Sequence, residues 1–406
     1  MSSGPLTVSA FIQNVSHMYC GQKLSERIYW TGVYDRRKHL FENMWPLPEG
    51  VSYNSYLIKD EKCALMDTVE SGRLADTLEG RPLDYLVIHH MELDHSGEIE
   101  NLIRQYPDVR IVGNAKTFRV LEAYFGKLPN LVEVKDGDTL SLGYHNLKFV
   151  FTPWVHWPET MMSYDTTDGV LFSGDAFGMF GATDGGVFDD QVDFARYESE
   201  MRRYYSNIVG KYSGMVQKAL AKLSSARIGA ICPLHGLVWR SDPARVIGLY
   251  DRWSRYEADD AAVVIYASMY GNTAQMADHI ARRIAEAGVR DIRVYDVSKT
   301  HVSYLISEIW RCRGVLLGSC AYNTQMFPLM ENLTRDLLHA GPKDRLLGVF
   351  GTYSWNGGGV KNLNVFAEQI GWETVAPSAE ILGRPTCEKY AACDALADAM
   401  ACRLKK

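Results

Sequence analysis

The amino-acid sequence reads as an α+β sandwich of sheets flanked by helices, followed by a doubly wound α/β domain. Three observations predict this. The chain has 406 residues, long for a single hydrophobic core, so two domains are expected. Up to Trp253, short strands, turns and helices follow one another without a regular winding. Beyond Asp260, strand and helix patterns alternate strictly. The change falls within Trp253-Ser254-Arg255-Tyr256-Glu257-Ala258-Asp259-Asp260, which puts the boundary close to residue 257.

In the N-terminal part, residues 51–58 alternate as one strand and 64–68 form a second. Residues 110–113, 147–151 and 169–173 continue the set, and helices are expected around 71–79, 97–106, 116–126 and 193–224. In the C-terminal part, residues 261–267 are a continuous apolar run, as in a parallel strand buried on both faces. A helix from about Thr273 to Ala287 follows. Then come a strand near 291–297, a helix near 302–311, the strand 315–318 and a helix near 328–340. The strand 346–350, a helix near 359–370, a strand near 373–382 and a last helix near 387–403 complete the pattern. No internal repeat or low-complexity tract interrupts it.

Composition narrows the function. With 47% hydrophobic and 23% charged residues and a formal charge of −6, nucleic acid and anionic membrane surfaces are not expected partners. No apolar run reaches the roughly 18 residues a membrane span needs, and no signal-peptide pattern opens the chain, so a cytoplasmic location is expected. The eight cysteines (Cys20, Cys63, Cys232, Cys312, Cys320, Cys387, Cys393 and Cys402) include no Cys-x-x-Cys pair. That excludes a zinc ribbon or rubredoxin-type iron site within these residues, and the thiols read as buried small hydrophobes. Any electron carrier beyond a bound organic cofactor must come from outside.

The richest chemistry lies in His90-Met91-Glu92-Leu93-Asp94-His95, four possible metal ligands in six residues directly after the apolar run 85–88. Side chains alternate along a strand, so His90 and Glu92 can serve one metal, and the following turn brings Asp94 and His95 to a second. Histidine at 92 would suit a zinc hydrolase; the carboxylate makes that half harder and favours iron. His89 should point to the opposite face. Three further candidates stand at strand ends or turns: His156, Asp175 and His235. Each alone would read as structural, a lone histidine or a capping aspartate. Trp154, Trp157, Met91, Met161 and Met162 could form an apolar collar around a small uncharged molecule.

A second constellation lies in the C-terminal part. The first strand there runs into Ser268-Met269-Tyr270-Gly271-Asn272-Thr273 and a helix, so hydroxyls and backbone N–H groups form a nest for a phosphate that carries no metal. The Gly-Lys-Ser/Thr of a Walker loop and the Gly-x-Gly-x-x-Gly of dinucleotide sites are both absent. Ser319-Cys320-Ala321-Tyr322-Asn323-Thr324 and Thr352-Tyr353-Ser354-Trp355-Asn356-Gly357 follow two later strands. In open α/β sheets, ligands bind beyond the strand ends, where these loops converge.

The order His-x-Glu-x-Asp-His, then His, Asp and His, resembles the metallo-β-lactamase-like domain of the flavodiiron proteins (A-type flavoproteins), and the hydroxyl-rich loop resembles the FMN-phosphate loop of flavodoxins. The resemblance covers essentially the whole chain. It implies a metallo-β-lactamase-like αββα sandwich over 1–257 and a flavodoxin-like FMN-binding domain over 258–406. It implies one iron held by His90, Glu92 and His156, a second held by Asp94, His95 and His235, and Asp175 bridging them. It places the flavin ring between the second and third loops, with the backbone of 320–324 against it and Trp355 as aromatic neighbour. The family usually shows Ser-Pro-Thr where this chain has Ser319-Cys320-Ala321. The implied activity is reduction of O2 to water, of NO to N2O, or both, with electrons relayed by FMN from an external donor: rubredoxin, a reduced deazaflavin or a reductase. A head-to-tail homodimer, or a dimer of such dimers, is implied as well. Two other classes compete: a hydrolase with a fused flavodoxin module, which Glu92 argues against, and a non-catalytic electron-transfer protein, which a complete ligand set argues against.

Overall fold

Two sheets face each other across the N-terminal core of the computed structural model, which describes residues 21–70 and 73–405. The first has seven strands in the order Gln22–Lys23, Ile28–Trp30, Tyr56–Lys59, Cys63–Met66, Tyr85–Val87, Arg110–Gly113 and Leu131–Glu133. The second has five: Thr139–Ser141, Asn146–Phe151, Met161–Asp165, Val170–Gly174 and Ala230–Pro233. Side-chain alternation sorts the layers. Tyr56 and Ile58 point inward with Phe149 and Phe172 of the facing sheet, whereas Leu57 packs outward with Leu78, Ile99 and Leu121 from helices. Each such fully buried side chain contributes about 1.5–3 kcal/mol. This is the sandwich the sequence leads one to expect.

The C-terminal unit has a sheet of parallel strands in the order Ile292–Asp296, Asp259–Ala267, Cys312–Tyr322 and Leu346–Tyr353, with Glu373–Thr374 and Ala379–Leu382 both paired with the last and the short Gln325–Met326 antiparallel to Cys312–Tyr322. In sequence order that is 2-1-3-4-5, and the order reverses between the first and third strands. The helices Asn272–Glu286, Val302–Arg311, Pro328–Ala340, Gly358–Ile370 and Ala391–Leu404 link and flank these strands.

The structure departs from the sequence expectations in four places. Residues 51–58 are two strands, Val51–Tyr53 and Tyr56–Lys59, because Asn54 turns its hydrogen bonding elsewhere. Its Nδ2 donates to the Pro233 and Gly236 carbonyls (2.9 and 3.0 Å), and its N–H donates to the Leu234 carbonyl (2.7 Å). The expected helix 193–224 is broken into Glu198–Tyr204, a π turn Tyr205–Val209, a 3-10 turn Gly210–Tyr212 and Ser213–Leu223. Its middle, Arg202–Ser213, belongs to the C-terminal compact unit together with Asp251–Lys406. There Arg202 pairs with Glu308 (2.7 Å), and a Cβ on Gly210 would lie 2.7 Å from the Trp310 ring. Residues 373–382 are two short strands interrupted around Pro377, which has no N–H for the ladder. The strand expected at 315–318 runs from Cys312 to Tyr322. The first two residues of the helix expected at 71–79 lie outside the described residues; Arg73–Leu78 is helical.

Among the described residues, no helix is long and apolar enough to cross a membrane. All seven described cysteines are free thiols; Cys387 and Cys402 are exposed, the other five buried.

Candidate functional site

The strand Tyr85–Val87 ends just before His90, and the chain turns at once into the short helix Leu93–Ser96 with Glu92 at its N-terminal edge. His90 and Glu92 therefore project from the extended segment, and Asp94 and His95 from the first helical turn. His156 comes from the loop after Asn146–Phe151, Asp175 from the turn after Val170–Gly174 and His235 from the turn after Ala230–Pro233. The His235 turn needs Gly236: its φ is +79°, and a Cβ would lie 2.1 Å from Met179.

These seven side chains form two adjoining groups, His90, Glu92, His156 and Asp175 in one and Asp94, His95 and His235 in the other. Asp175 faces both. Its Oδ2 lies 3.0 Å from His156 Nε2 and 3.6 Å from His90 Nε2. Its Oδ1 lies 3.7 Å from His95 Nε2 and 3.8 Å from His235 Nε2. In the first group, Glu92 Oε2 is 3.1 Å from His156 Nε2 and 3.6 Å from His90 Nε2. In the second, Asp94 Oδ2 is 3.4 Å from His95 Nε2 and 3.5 Å from His235 Nε2. Donors sharing a metal at bonds of about 2.1 Å are separated by about 3.0–3.4 Å, so the spacing suits one ion in each group.

The electrostatics demand positive charge here. Burial alone would push Asp175 and Asp94 up and the histidines down, but the partners outweigh it. Asp175, Glu92 and Asp94 are held below the ordinary carboxylate range. His90 and His235 lie above the ordinary imidazole value, and hydrogen bonding to Asp175 and Glu92 raises His156 to about 9. His95 goes down, because there burial prevails. Both ring nitrogens of His90 and both carboxylate oxygens of Asp94 are buried without a hydrogen-bond partner among the described residues, an arrangement that is costly unless a cation completes it. His235 is oriented by Nδ1, which lies 2.9 Å from the Ser52 carbonyl and leaves Nε2 for the site. The donor set, four imidazoles and three carboxylates, fits a pair of iron ions.

His89 faces away, as expected: Asp67 holds Nδ1, and Nε2 is 2.9 Å from Ser163 Oγ. Of the expected collar, the Trp157 ring lies 6.3 Å from that of His90, whereas Met91 and Met161 belong to the hydrophobic cores and Trp154 is exposed. Three neighbours were not singled out from the sequence. The Tyr53 ring lies 5.4 Å from that of His235, and its hydroxyl accepts from Lys38 Nζ at 2.5 Å. The Phe41 ring is 5.1 Å from His235. Burial, then the adjacent Glu92, pushes Glu42 up to about 7. A further cluster, His145 with Asp165 and Asp168, also escaped notice; Asp60 holds His145 Nδ1 at 3.0 Å, so it forms a closed polar network.

In the C-terminal unit a cavity of about 350 Å³ opens at the ends of the first, third and fourth strands, where the strand order reverses. Ser268, Met269, Tyr270 and Asn272 line it from the first loop, residues 320–324 from the second and residues 352–356 from the third. The remaining expected residues shape its walls. Gly271, at φ +88°, opens the helix Asn272–Glu286 and donates its N–H to Ser268 Oγ (3.1 Å). Thr273 Oγ1 meets Thr352 Oγ1 at 2.8 Å, and Ser319 Oγ accepts from the Phe327 N–H at 3.0 Å. At Gly357 a Cβ would lie 2.7 Å from the Glu380 carboxylate. The second loop is a tight hairpin: Tyr322 pairs with Gln325, and Asn323 and Thr324 both have positive φ. A helix N-terminus beside an open, partly apolar cavity suits a flavin mononucleotide, with phosphate at the helix and the ring between the second and third loops.

Comparison with known proteins agrees with this geometry. Residues 51–236 match the ODP family beta-lactamase model, and residues 264–394 the flavodoxin model. A nitric oxide reductase of Moorella thermoacetica is 32% identical over 94% of this chain and 98% of its own length. The anaerobic nitric oxide reductase flavorubredoxin of Escherichia coli O1:K1 is 33% identical over 86% of this chain and 76% of its own. The structure of rubredoxin oxygen:oxidoreductase from Desulfovibrio gigas superposes with a TM-score of 0.90 at 30% identity, covering 95% of this chain and 98% of that one. The flavodiiron protein of Giardia intestinalis follows at 0.88 and 25% identity, over 95% and 98%. With a beta-lactamase-like sandwich, a flavodoxin domain and relatives matched over nearly its whole length, this chain belongs to the flavodiiron protein family.

Proposed function

We propose that the chain is a flavodiiron oxidoreductase that reduces O2 to water, NO to N2O, or both, at a non-haem diiron centre fed by FMN. One observation carries this reading: a single carboxylate, Asp175, turns one oxygen to each of two adjoining donor groups. His90, Glu92 and His156 would hold one iron, Asp94, His95 and His235 the other, and Asp175 would bridge them. When bound, the two irons supply electron pairs and open coordination positions to a diatomic gas, and FMN passes on electrons from the donor. The chain's own residues do the rest. Asp175 fixes the spacing of the two groups, Ser52 holds the His235 tautomer, and Trp157 covers His90. In the flavin cavity, the N-terminal helix turn at Asn272 and the hydroxyl of Ser268 would receive the phosphate, and Trp355 would flank the ring.

We place the diiron domain within 1–257 and the flavin domain within 258–406. The electron donor would be rubredoxin, a reduced deazaflavin or a reductase; these residues contain no Cys-x-x-Cys pair for a rubredoxin-type iron site. A head-to-tail homodimer, alone or paired into a tetramer, would set the flavin of one chain against the diiron centre of its partner. Large exposed rings at the cavity rim support this: Trp355 is 80% and Tyr270 90% exposed. Free buried thiols support a cytoplasmic location. The test is parallel anaerobic turnover with O2 and with NO, using chemically reduced rubredoxin, on protein assayed for iron and FMN. Two irons and one FMN per chain with consumption of either gas is the expected result. Zinc alone in the site, with neither gas consumed, would refute the reading.

A further inference from the structure

The loop that carries His156 also carries Glu159, a carboxylate with no part in the donor groups. Glu159 is 1% exposed. Its Oε1 accepts the Met91 N–H at 2.9 Å, and Met91 is the residue between His90 and Glu92. Its Oε2 is buried without a hydrogen-bond partner among the described residues. A side chain present only to fill core space would not carry a carboxyl group with one oxygen left unpaired. The same loop is fastened twice more: Asn114 Nδ2 donates to the Glu159 carbonyl (2.6 Å), and the Met161 N–H donates to the His89 carbonyl (3.0 Å). These two ties hold the loop as a whole. The Glu159 carboxylate grips the ligand-bearing segment at the N–H of the peptide between His90 and Met91, while Ser96 Oγ holds the Met91 carbonyl on its other side at 3.0 Å.

We propose that Glu159 is a positioning residue for the four-donor half of the metal centre. By anchoring the Met91 peptide it sets His90 and Glu92 against His156, three residues before it on its own loop. The inference rests on the diiron reading above. It assigns the function to the acceptor oxygen and to its reach rather than to the negative charge, which separates two conservative variants. Glu159→Gln keeps the acceptor at the same distance; Glu159→Asp keeps the charge but falls one methylene short of the Met91 N–H.

The test is an anaerobic ferrous titration of metal-free wild type and both variants, with Mössbauer spectra of the loaded proteins and melting curves of the metal-free ones. Wild type is expected to take two irons in distinguishable environments. Glu159→Gln should match it. Glu159→Asp should bind one iron as wild type does and the other about 10–100-fold more weakly, the range for loss of a ligand-orienting partner, with metal-free melting unchanged. Wild-type binding by Glu159→Asp would overturn the proposal. So would a Glu159→Gln defect as large as that of Glu159→Asp, which would make charge the operative property. Loss of both irons with a lowered melting temperature in both variants would make Glu159 a general core residue and overturn it as well. Failure of wild type itself to bind two irons would instead sink the diiron reading.

Discussion

The two sites are built from opposite materials. The metal centre is a buried set of ionisable side chains drawn from the stretch 90–95 and three single loop positions, and several of its buried polar atoms have no hydrogen-bond partner among the described residues. The flavin cavity is assembled from loops at strand ends: a helix N-terminus, a two-residue hairpin turn and the loop after the fourth strand, open to solvent and rimmed by exposed rings. A side-chain site advertises itself by residue type and spacing and fails when one atom is removed. A site assembled from loop ends is set by topology and carries less signal in residue type.

The largest effect expected from this contrast is at Asp175. Its carboxylate faces both donor groups, so Asp175→Ala should cost both irons and at least about a hundredfold in gas reduction, while FMN content stays at one per chain. Metal analysis and the flavin absorbance of the same sample check both halves of the statement. Loss of a single iron would mean that the two groups are independent.

Proton competition should separate the sites next. His156 is raised to about 9 from an ordinary 6.5. In the metal-free protein its stabilising contribution is therefore full below about 6.5 and lost as pH rises through about 9. Metal must displace that proton, so ferrous affinity should climb between pH 6 and 9, roughly tenfold per unit for each proton released. FMN affinity should stay comparatively flat over the same range. Titration at several pH values gives both slopes, and equal slopes would erase the contrast.

These expectations also show what the sequence made legible. Residues 90–95 stood out because four ligand types at strand-then-turn spacing are rare by chance, and the continuous apolar run 261–267 announced a parallel sheet. Glu42, Tyr53 and Glu159 were silent, because a lone carboxylate or phenol on a loop carries no spacing and acts only through distant partners. The break at Asn54 was hidden for the same reason: its side chain replaces strand pairing with bonds to the His235 turn, about 180 residues away. The helix expected at 193–224 failed because its middle is shaped by Trp310 and Glu308, which local periodicity cannot see.

The smallest effect belongs to the flavin hairpin. Thr324, a β-branched residue, sits at φ +61° in a turn that favours glycine. Thr324→Gly should stabilise the protein by about 1 kcal/mol by relieving that strain, with FMN affinity nearly unchanged because the hairpin turn is kept. Denaturant unfolding and flavin titration of the variant check it. A large loss of FMN would show that the threonine side chain itself makes the site.

The most direct test of the central claim is anomalous diffraction at the iron edge from crystals grown anaerobically after ferrous loading. Two peaks about 3.5–4 Å apart, one on each side of the Asp175 carboxylate, are the predicted result. A single peak, or peaks away from Asp175, would contradict it.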